Sequence, residues 1–335
     1  MKLHIVDPGK PVEVPRVTVA VVSFNTRAAT LACLESVLAT GIADLKVVVV
    51  DNASTDGTAD AITSRFPQIR LVVAAENLGF AKAVNVAAGE AEPGYLVLLN
   101  PDTIVLPGSL EALLEFALAH PAYRVYGGRT LRSDGSLDPS SCWGSPSLWS
   151  LTCFATGLST AFKGSTVFDP ESLGRWQRNS VRPVPVITGC LLLISVDDFR
   201  SLGGMDERFF LYGEDAEFSL RARSRGMRPV IVPDAVIIHD SGGSTGGGGI
   251  KMCMVMAGKA TYLQVTWSKH RAAVGVALLQ AGSLLRSTIE RARHRPGMWT
   301  EVWRRRGDWK SGYPAALERL FDRPNPVANG VREVG

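Results

Sequence analysis

The chain has 335 residues, 46% hydrophobic and 20% charged, which gives enough apolar material for one large α/β domain with an extension, or for two domains. Its formal net charge of +4 is too small to point to nucleic acid, but it is unevenly spread: residues 1–250 carry 21 Lys+Arg against 26 Asp+Glu, net −5, and residues 251–335 carry 15 against 6, net +9. The cysteines Cys33, Cys142, Cys153, Cys190 and Cys253 are scattered and form no CxxC pair, which excludes a disulfide scaffold and fits a reducing cytoplasm.

Residues 1–15 read as a lead-in, with three prolines and no apolar signal core. VTVAVVSFN (17–25) then has the β-branched density of a buried strand, and TRAATLACLESVLA (26–39) reads as a helix. The alternation continues with strand KVVVVDNAS (46–54), helix TADAITSRF (58–66), strand IRLVVAAEN (69–77), helix FAKAVNVAAGEA (80–91) and strand YLVLLNPD (95–102). Apolar strands alternating with helices imply a mostly parallel sheet covered on both faces, an α/β class of Rossmann-like organisation. Polar residues gather just after the strands, where ligands bind in open α/β sheets: Ser23 and Asn25, Asp51 and Asn52, Glu76 and Asn77, Asn100 and Asp102. The first strand-to-helix turn, VVSFNTRAA, has no GxGxxG, and no GxxxxGK[ST] occurs, which argues against dehydrogenases, P-loop enzymes and sugar nucleotidyltransferases.

Residues 134–182 are looser, rich in Ser, Gly and Trp, and read as a functional loop system. VPVITGCLLLISVDDFRSLGGMDERFF (184–210) gives a buried strand, a short helix and a turn. FFLYGEDAEFSLRAR (209–223) follows, with Glu214, Asp215 and Glu217 directly behind a glycine. Acidic residues at a helix start answer the free N–H groups and the dipole, so a purely local account exists. Glu217 fits it, four residues from Arg221. RPVIVPDAVIIHD (228–240) reads as a strand pair closing on His239, and SGGSTGGGG (241–249) as a mobile loop. A strand-end histidine is usually bonded to backbone, and a strand-end aspartate usually forms a turn. Asp102 and His239 gain weight because one sheet edge could bring them together for a divalent cation. Residues 250–335 read as helices and a tail. Their weakly polar run AAVGVALLQAGSLL (272–285) falls short of the ~20 residues that span a bilayer. Flanked by His270, Arg271 and Arg286, it suits a helix lying on a membrane or packed on the body; a homodimer interface is the alternative.

In order, VVSFN, VVVVDNAS, ENLGFAKAVN, LLNPD, ITGCLLL, GGMDERFFLYGEDAEFSLRAR and VIIHD resemble glycosyltransferase family 2, inverting enzymes of GT-A fold, over residues 16–245. GFAKAVN, NPD and GEDAEFSLRAR resemble its rhamnosyltransferase-like branch most. The resemblance implies a GT-A domain at 16–245, followed by a glycine-rich loop and basic helical region at 246–335. It implies a nucleotide-sugar donor, dTDP-L-rhamnose first and a UDP- or GDP-sugar as the alternative. Donor contacts would come from Ser23, Asn25, Asp51, Asn77, Gly79, Asn85, Asn100 and Asp102, with Asn85 near the diphosphate. Mg²⁺ or Mn²⁺ would be held by Asp102 and His239; Asn100 stands where the family often has the first aspartate of DxD. Asp215 would be the general base, and Glu214 would orient the acceptor or support the loop. The implied acceptor is a glycan or a polyprenyl-diphosphate-linked sugar. The place of work is the cytoplasm or, through the basic C-terminal region, the inner face of the membrane.

Overall fold

The computed structural model describes residues 15–239, 248–295 and 297–321. In chain order the first half gives β1 (Val17–Ser23), α1 (Arg27–Leu38), β2 (Leu45–Asp51), α2 (Thr58–Arg65), β3 (Arg70–Val73), α3 (Phe80–Gly89), β4 (Tyr95–Leu99), β5 (Thr103–Val105), α4 (Ser109–Ala119) and β6 (Val125–Leu131). The middle adds β7 (Cys142–Trp143), α5 (Leu148–Thr156), α6 (Leu158–Ala161), β8 (Arg182–Pro183), β9 (Val186–Ile187), β10 (Leu191–Ser195), α7 (Val196–Leu202), α8 (Glu214–Ser224) and β11 (Val230–His239). The remainder is helical: α9 (Gly248–Thr266), α10 (Lys269–Ala292), α11 (Met298–Arg304), α12 (Arg306–Trp309) and α13 (Ala315–Phe321).

The main sheet runs β3-β2-β1-β4-β10-β6-β11-β5, with β8 on β11 and with β7 and β9 forming a separate ladder. β1 lies parallel to β2 and β4, in register from Val17 opposite both Leu45 and Tyr95. All seven residues of β1 are buried. Their period of two sends Val17, Val19 and Val21 to the face covered by α1 and α4, and Ala20 and Val22 to the face covered by α3. The second face also receives α8 and the C-terminal helices, so Cys253, Met254 and Ala257 of α9 share one core with β1 and β4.

The sheet is mixed. β10 runs antiparallel to β4 and β6. Apolar content marks a strand as buried but does not encode its direction, which the long excursion before β10 sets. Residues 228–240, expected to be a strand pair, form one strand through residue 239, with a register shift between Ile231 and Val236. Pro233 lies in that interval and has no N–H for the ladder, which accounts for a bulge in place of a turn. The stretch 134–182 is more ordered than its composition suggests. α5 opens with a capping box in which the Ser147 hydroxyl accepts from the Ser150 N–H and Ser150 returns the bond. Of the glycine-rich segment 241–249, residues 241–247 lie outside the described residues, and Gly248 and Gly249, expected in the loop, open α9 instead. α10 is longer than the apolar run within it: its 24 residues are long and apolar enough, by length and composition, to cross a membrane. Here it packs along α5, α9 and α11, and Gly275 and Gly282 leave room for Leu151 and Phe154 of α5.

Candidate active site

The carboxyl ends of β1, β2 and β4 open onto a cleft of about 1430 Å³, closed on the other side by residues from the middle segment, the start of α8 and α9. Three groups of side chains define its chemistry.

The first comes from sheet register. His239 ends β11 opposite Thr103 of β5, so the residue before Thr103 falls beside the imidazole. The His239 Nε2 lies 3.4 Å from Asp102 Oδ1. On the other side, Nδ1 is 2.8 Å from Asp138 Oδ2, which also accepts the Ser140 hydroxyl at 2.7 Å. Burial works against a charged ring here. Hydrogen bonds and charge from Asp102 and Asp138 outweigh it and push His239 up to about 9. The charged ring donates from Nδ1 to Asp138 and turns its Nε2–H to Asp102; once that Nε2 proton is lost, Asp138 behind Nδ1 leaves the carboxylate–histidine arrangement that serves a divalent cation. Asp102 and His239 both line the cleft, so this donor pair fits Mg²⁺ or Mn²⁺. Among the described residues no cluster of three or more His, Cys, Asp or Glu has metal-ligand geometry. Asp138 was not foreseen. It lies 101 positions before His239, in a turn tied to β6 by its own N–H to the Thr130 carbonyl, and no local pattern marks it.

The second group is the start of α8. Gly213, at φ +97°, precedes the helix, and Tyr212 is also left-handed at φ +68°. This loop is held from two sides. The Phe210 carbonyl accepts the Phe80 N–H at 2.7 Å, and a Cβ on Gly79 would sit 2.5 Å from that carbonyl oxygen. On the far side, a Cβ on Gly258 of α9 would sit 1.9 Å from the Tyr212 oxygen. Asp215 Oδ1 accepts the Gly189 N–H at 3.1 Å and lines the cleft. Glu214 is buried, and its Oε2 has no hydrogen-bond partner among the described residues. Burial first, then the Asp215 charge, push Glu214 well above the ordinary carboxylate range; burial does the same to Asp215, against the Gly189 hydrogen bond. Two adjacent carboxyls with raised proton affinity titrate as a pair, and one of them is ready to take a proton near neutrality. Glu217 forms the expected pair with Arg221, at 3.0 and 2.6 Å.

The third group covers the candidate donor contacts. Asn77, Gly79, Asn100 and Asp102 line the cleft. So does Asn52, a strand-end residue to which no donor contact was assigned: its amide donates to Asn77 Oδ1 at 2.9 Å and accepts the Leu78 N–H at 2.7 Å. Asn100 Nδ2 is directed to Cys190 Sγ at 3.4 Å, on the neighbouring β10. Four others lie outside the cleft wall. The Ser23 hydroxyl is buried between Thr26 and Thr30, at 3.1 and 2.8 Å. Asn25 joins the first two strand-end loops by accepting the Thr55 N–H, and Asp51 accepts the Ser54 N–H. Their chain neighbours Phe24 and Asn52 reach the cleft instead. Asn85 corrects the expectation of a side chain near the diphosphate. Its amide clamps Met205, accepting the N–H at 2.8 Å and donating to the carbonyl at 2.9 Å, because its helix face is turned to the 203–207 turn.

Comparison with known proteins agrees with this architecture. The family model described as glycosyl transferase family 2 matches residues 18–173, and one described as the N-terminal domain of galactosyltransferase matches residues 177–240. The chain is 33% identical over 216 residues to N-acetylglucosaminyl-diphospho-decaprenol L-rhamnosyltransferase of Mycobacterium tuberculosis, covering 60% of this chain and 68% of that protein. It is 28% identical over 235 residues to the O-antigen biosynthesis protein RfbC of Myxococcus xanthus, covering 69% of this chain and 18% of that one. Among solved structures, the mannosyltransferase PcManGT from Pyrobaculum calidifontis, in complex with GDP-Man and Mn²⁺, superposes with a TM-score of 0.52 at 20% identity, over 94% of this chain and 92% of that one. The fold is that of a GT-A glycosyltransferase. The chain belongs to glycosyltransferase family 2 and is rhamnosyltransferase-like.

Proposed function

We propose that this enzyme transfers L-rhamnose from dTDP-L-rhamnose to a hydroxyl of a sugar carried on a polyprenyl diphosphate, with inversion at the anomeric carbon. The supporting observation is the convergence on one cleft of a raised carboxyl pair and of a histidine–aspartate pair 3.4 Å apart, in a chain 33% identical to a lipid-linked rhamnosyltransferase. Asp215 takes the proton of the acceptor hydroxyl as that oxygen bonds to the anomeric carbon and the bond from that carbon to the diphosphate oxygen breaks. Gly189 holds the base in place through its N–H. Burial keeps the proton affinity of Asp215 high, and Glu214, buried beside it, supports the loop. Asp102 and His239 would hold Mg²⁺ or Mn²⁺, which would supply positive charge to offset that of the departing nucleoside diphosphate. Asn52, Asn77 and Gly79 line the donor side, where backbone and amide groups meet the nucleotide.

The test is a panel of nucleotide sugars with a polyprenyl-diphosphate-linked N-acetylglucosamine acceptor, following nucleoside diphosphate release with and without EDTA. Turnover of dTDP-L-rhamnose that EDTA abolishes is expected. Preference for a UDP- or GDP-sugar would overturn the donor and keep the enzyme class. A second prediction concerns Asp138. Asp138→Ala removes the anchor on His239 Nδ1, and metal affinity measured by Mn²⁺ titration calorimetry should fall about 10- to 100-fold. Unchanged affinity would remove His239 from the metal site.

A further inference from the structure

The middle segment carries a patch that the transfer reaction does not use. Trp149 at the start of α5, Phe162 just after α6, and Val167 beyond it are 48%, 51% and 55% exposed. They form one surface. The rings of Trp149 and Phe162 both lie against Phe168, with centroids 6.2 and 5.0 Å apart. Trp149 also donates its indole N–H to the Val167 carbonyl at 2.6 Å. The indole's polar atom is thus satisfied inside the protein, and its apolar ring faces out, an arrangement that water does not reward.

Charge and position say what covers this surface. Lys163 follows Phe162 directly, and Arg175 packs its stem beside Gly164. Both cations are exposed, and neither has an ion pair among the described residues. The nearby acids are engaged: Asp169 accepts the Gly164 N–H, and Glu171 pairs with Lys259 at 2.7 Å. Ser159, Thr160, Lys163, Gly164 and Arg175 also line the cleft, so the aromatic patch stands on its rim. α10, packed along α5, adds the exposed apolar residues Val274 and Leu284. Aromatic side chains beside unpaired cations are the chemistry of an anionic bilayer surface.

We propose that this rim is the membrane-docking surface, with Trp149, Phe162 and Val167 inserted at the headgroup boundary and Lys163 and Arg175 on anionic lipid phosphates. The proposal rests on the reading of a polyprenyl-linked acceptor and deepens it: the cleft mouth is held at the depth where such a diphosphate lies. It moves the main contact from the basic C-terminal region to the α5–α6 segment.

The test uses the full chain and vesicles of phosphatidylcholine with or without phosphatidylglycerol. The wild type should co-sediment with the anionic vesicles, and Trp149→Ser/Phe162→Ser should bind them about tenfold more weakly. Lys163→Glu/Arg175→Glu should lose the salt-sensitive part of binding. Brominated lipid should quench the wild type, and Trp149→Phe should remove that quenching. Circular dichroism should show the Ser variant folded at the assay temperature, with a Tm lowered only by the lost Trp149–Val167 bond and the two contacts with Phe168. Absence of wild-type binding, or full binding by both double variants, would overturn the proposal. So would a shift from dimer to monomer in the Ser variant without loss of vesicle binding, which would identify a second copy as the occupant. The two readings fail separately. Vesicle binding lost in the variant, with no rhamnosyl transfer by the wild type, would keep the docking surface and remove the donor. Transfer to a short-chain, water-soluble acceptor at equal rates in both proteins, with equal vesicle binding, would do the reverse.

Discussion

Asp215→Asn is expected to lower kcat for sugar transfer by about 10³-fold while leaving the nucleotide-sugar Kd within about twofold. The Asn side chain has the same volume, and its carbonyl oxygen can still accept the Gly189 N–H that Asp215 Oδ1 accepts at 3.1 Å. What it cannot do is take a proton. Two accompanying measurements separate this account from a folding defect. Burial pushes the Asp215 carboxyl from the ordinary carboxylate range up to about 7, so the wild-type rate should climb with pH through neutrality as the carboxylate forms. Glu214→Gln should leave that rise in place, because burial and not the Glu214 charge raises the Asp215 carboxyl. The stability consequence has the opposite sign. A carboxyl with a raised folded pKa favours the folded state fully below its unfolded value, and this contribution is lost as pH rises through the folded value. Above neutrality the buried carboxylate is therefore a burden, and Asp215→Asn should have a higher Tm than the wild type at pH ~8. An inactive variant that melts higher fits a base at this position. Retention of full activity would remove Asp215 from that role.

Gly258→Ala, in the middle of α9, should cost both stability and activity. A glycine-to-alanine change inside a helix ordinarily stabilises it by about 1 kcal/mol. Here the new Cβ would lie 1.9 Å from the Tyr212 carbonyl oxygen and 2.6 Å from its carbon. The loop has little room to retreat, because its other side is bonded to Phe80 and pressed on Gly79. The sign should therefore reverse, to a net loss of about 1–3 kcal/mol in thermal unfolding. Asp215 stands three residues after Tyr212, and an ångström of displacement there should lower kcat about 10²-fold. Gly89→Ala, at the end of α3, is the control: nothing lies within 4 Å of its would-be Cβ, so stability should hold or rise by up to about 1 kcal/mol and kcat should stay at the wild-type value. If Gly258→Ala behaved like this control, the loop would be looser than the contacts imply, and α9 would have no part in seating the base.

Much of this enzyme is legible in its residue order. Valine-rich runs such as VTVAVVS can only be buried, and their alternation with helices implies a layered α/β sheet. The polar residues that follow the strands mark the ligand edge, because strand ends are where backbone groups and short side chains are left unpaired. GEDAEF announces a charged helix start, and Glu217 with Arg221 is a one-turn pair that spacing alone predicts. These features are local: periodicity, caps and i,i+4 neighbours lie within a few residues of each other in the chain.

What the tertiary structure decided is long-range. The direction of β10, the bulge in β11 and the pairing of β11 with β5 bring His239 beside Asp102, 137 positions apart in number. The same packing supplies Asp138 behind the histidine, and no periodicity could have located it. Which face of a helix looks into a cleft also depends on its neighbours: Asn85 and Ser23 stand among ligand-edge residues in sequence, yet their polar atoms are spent inside the protein. Glu214 and Asp215 follow the same rule. Their charge can be read from the letters, but their raised proton affinity comes from burial against α9, β10 and the β3–α3 turn. Sequence specifies which groups are available, and desolvation and register, set by distant elements closing on one another, determine what those groups can do.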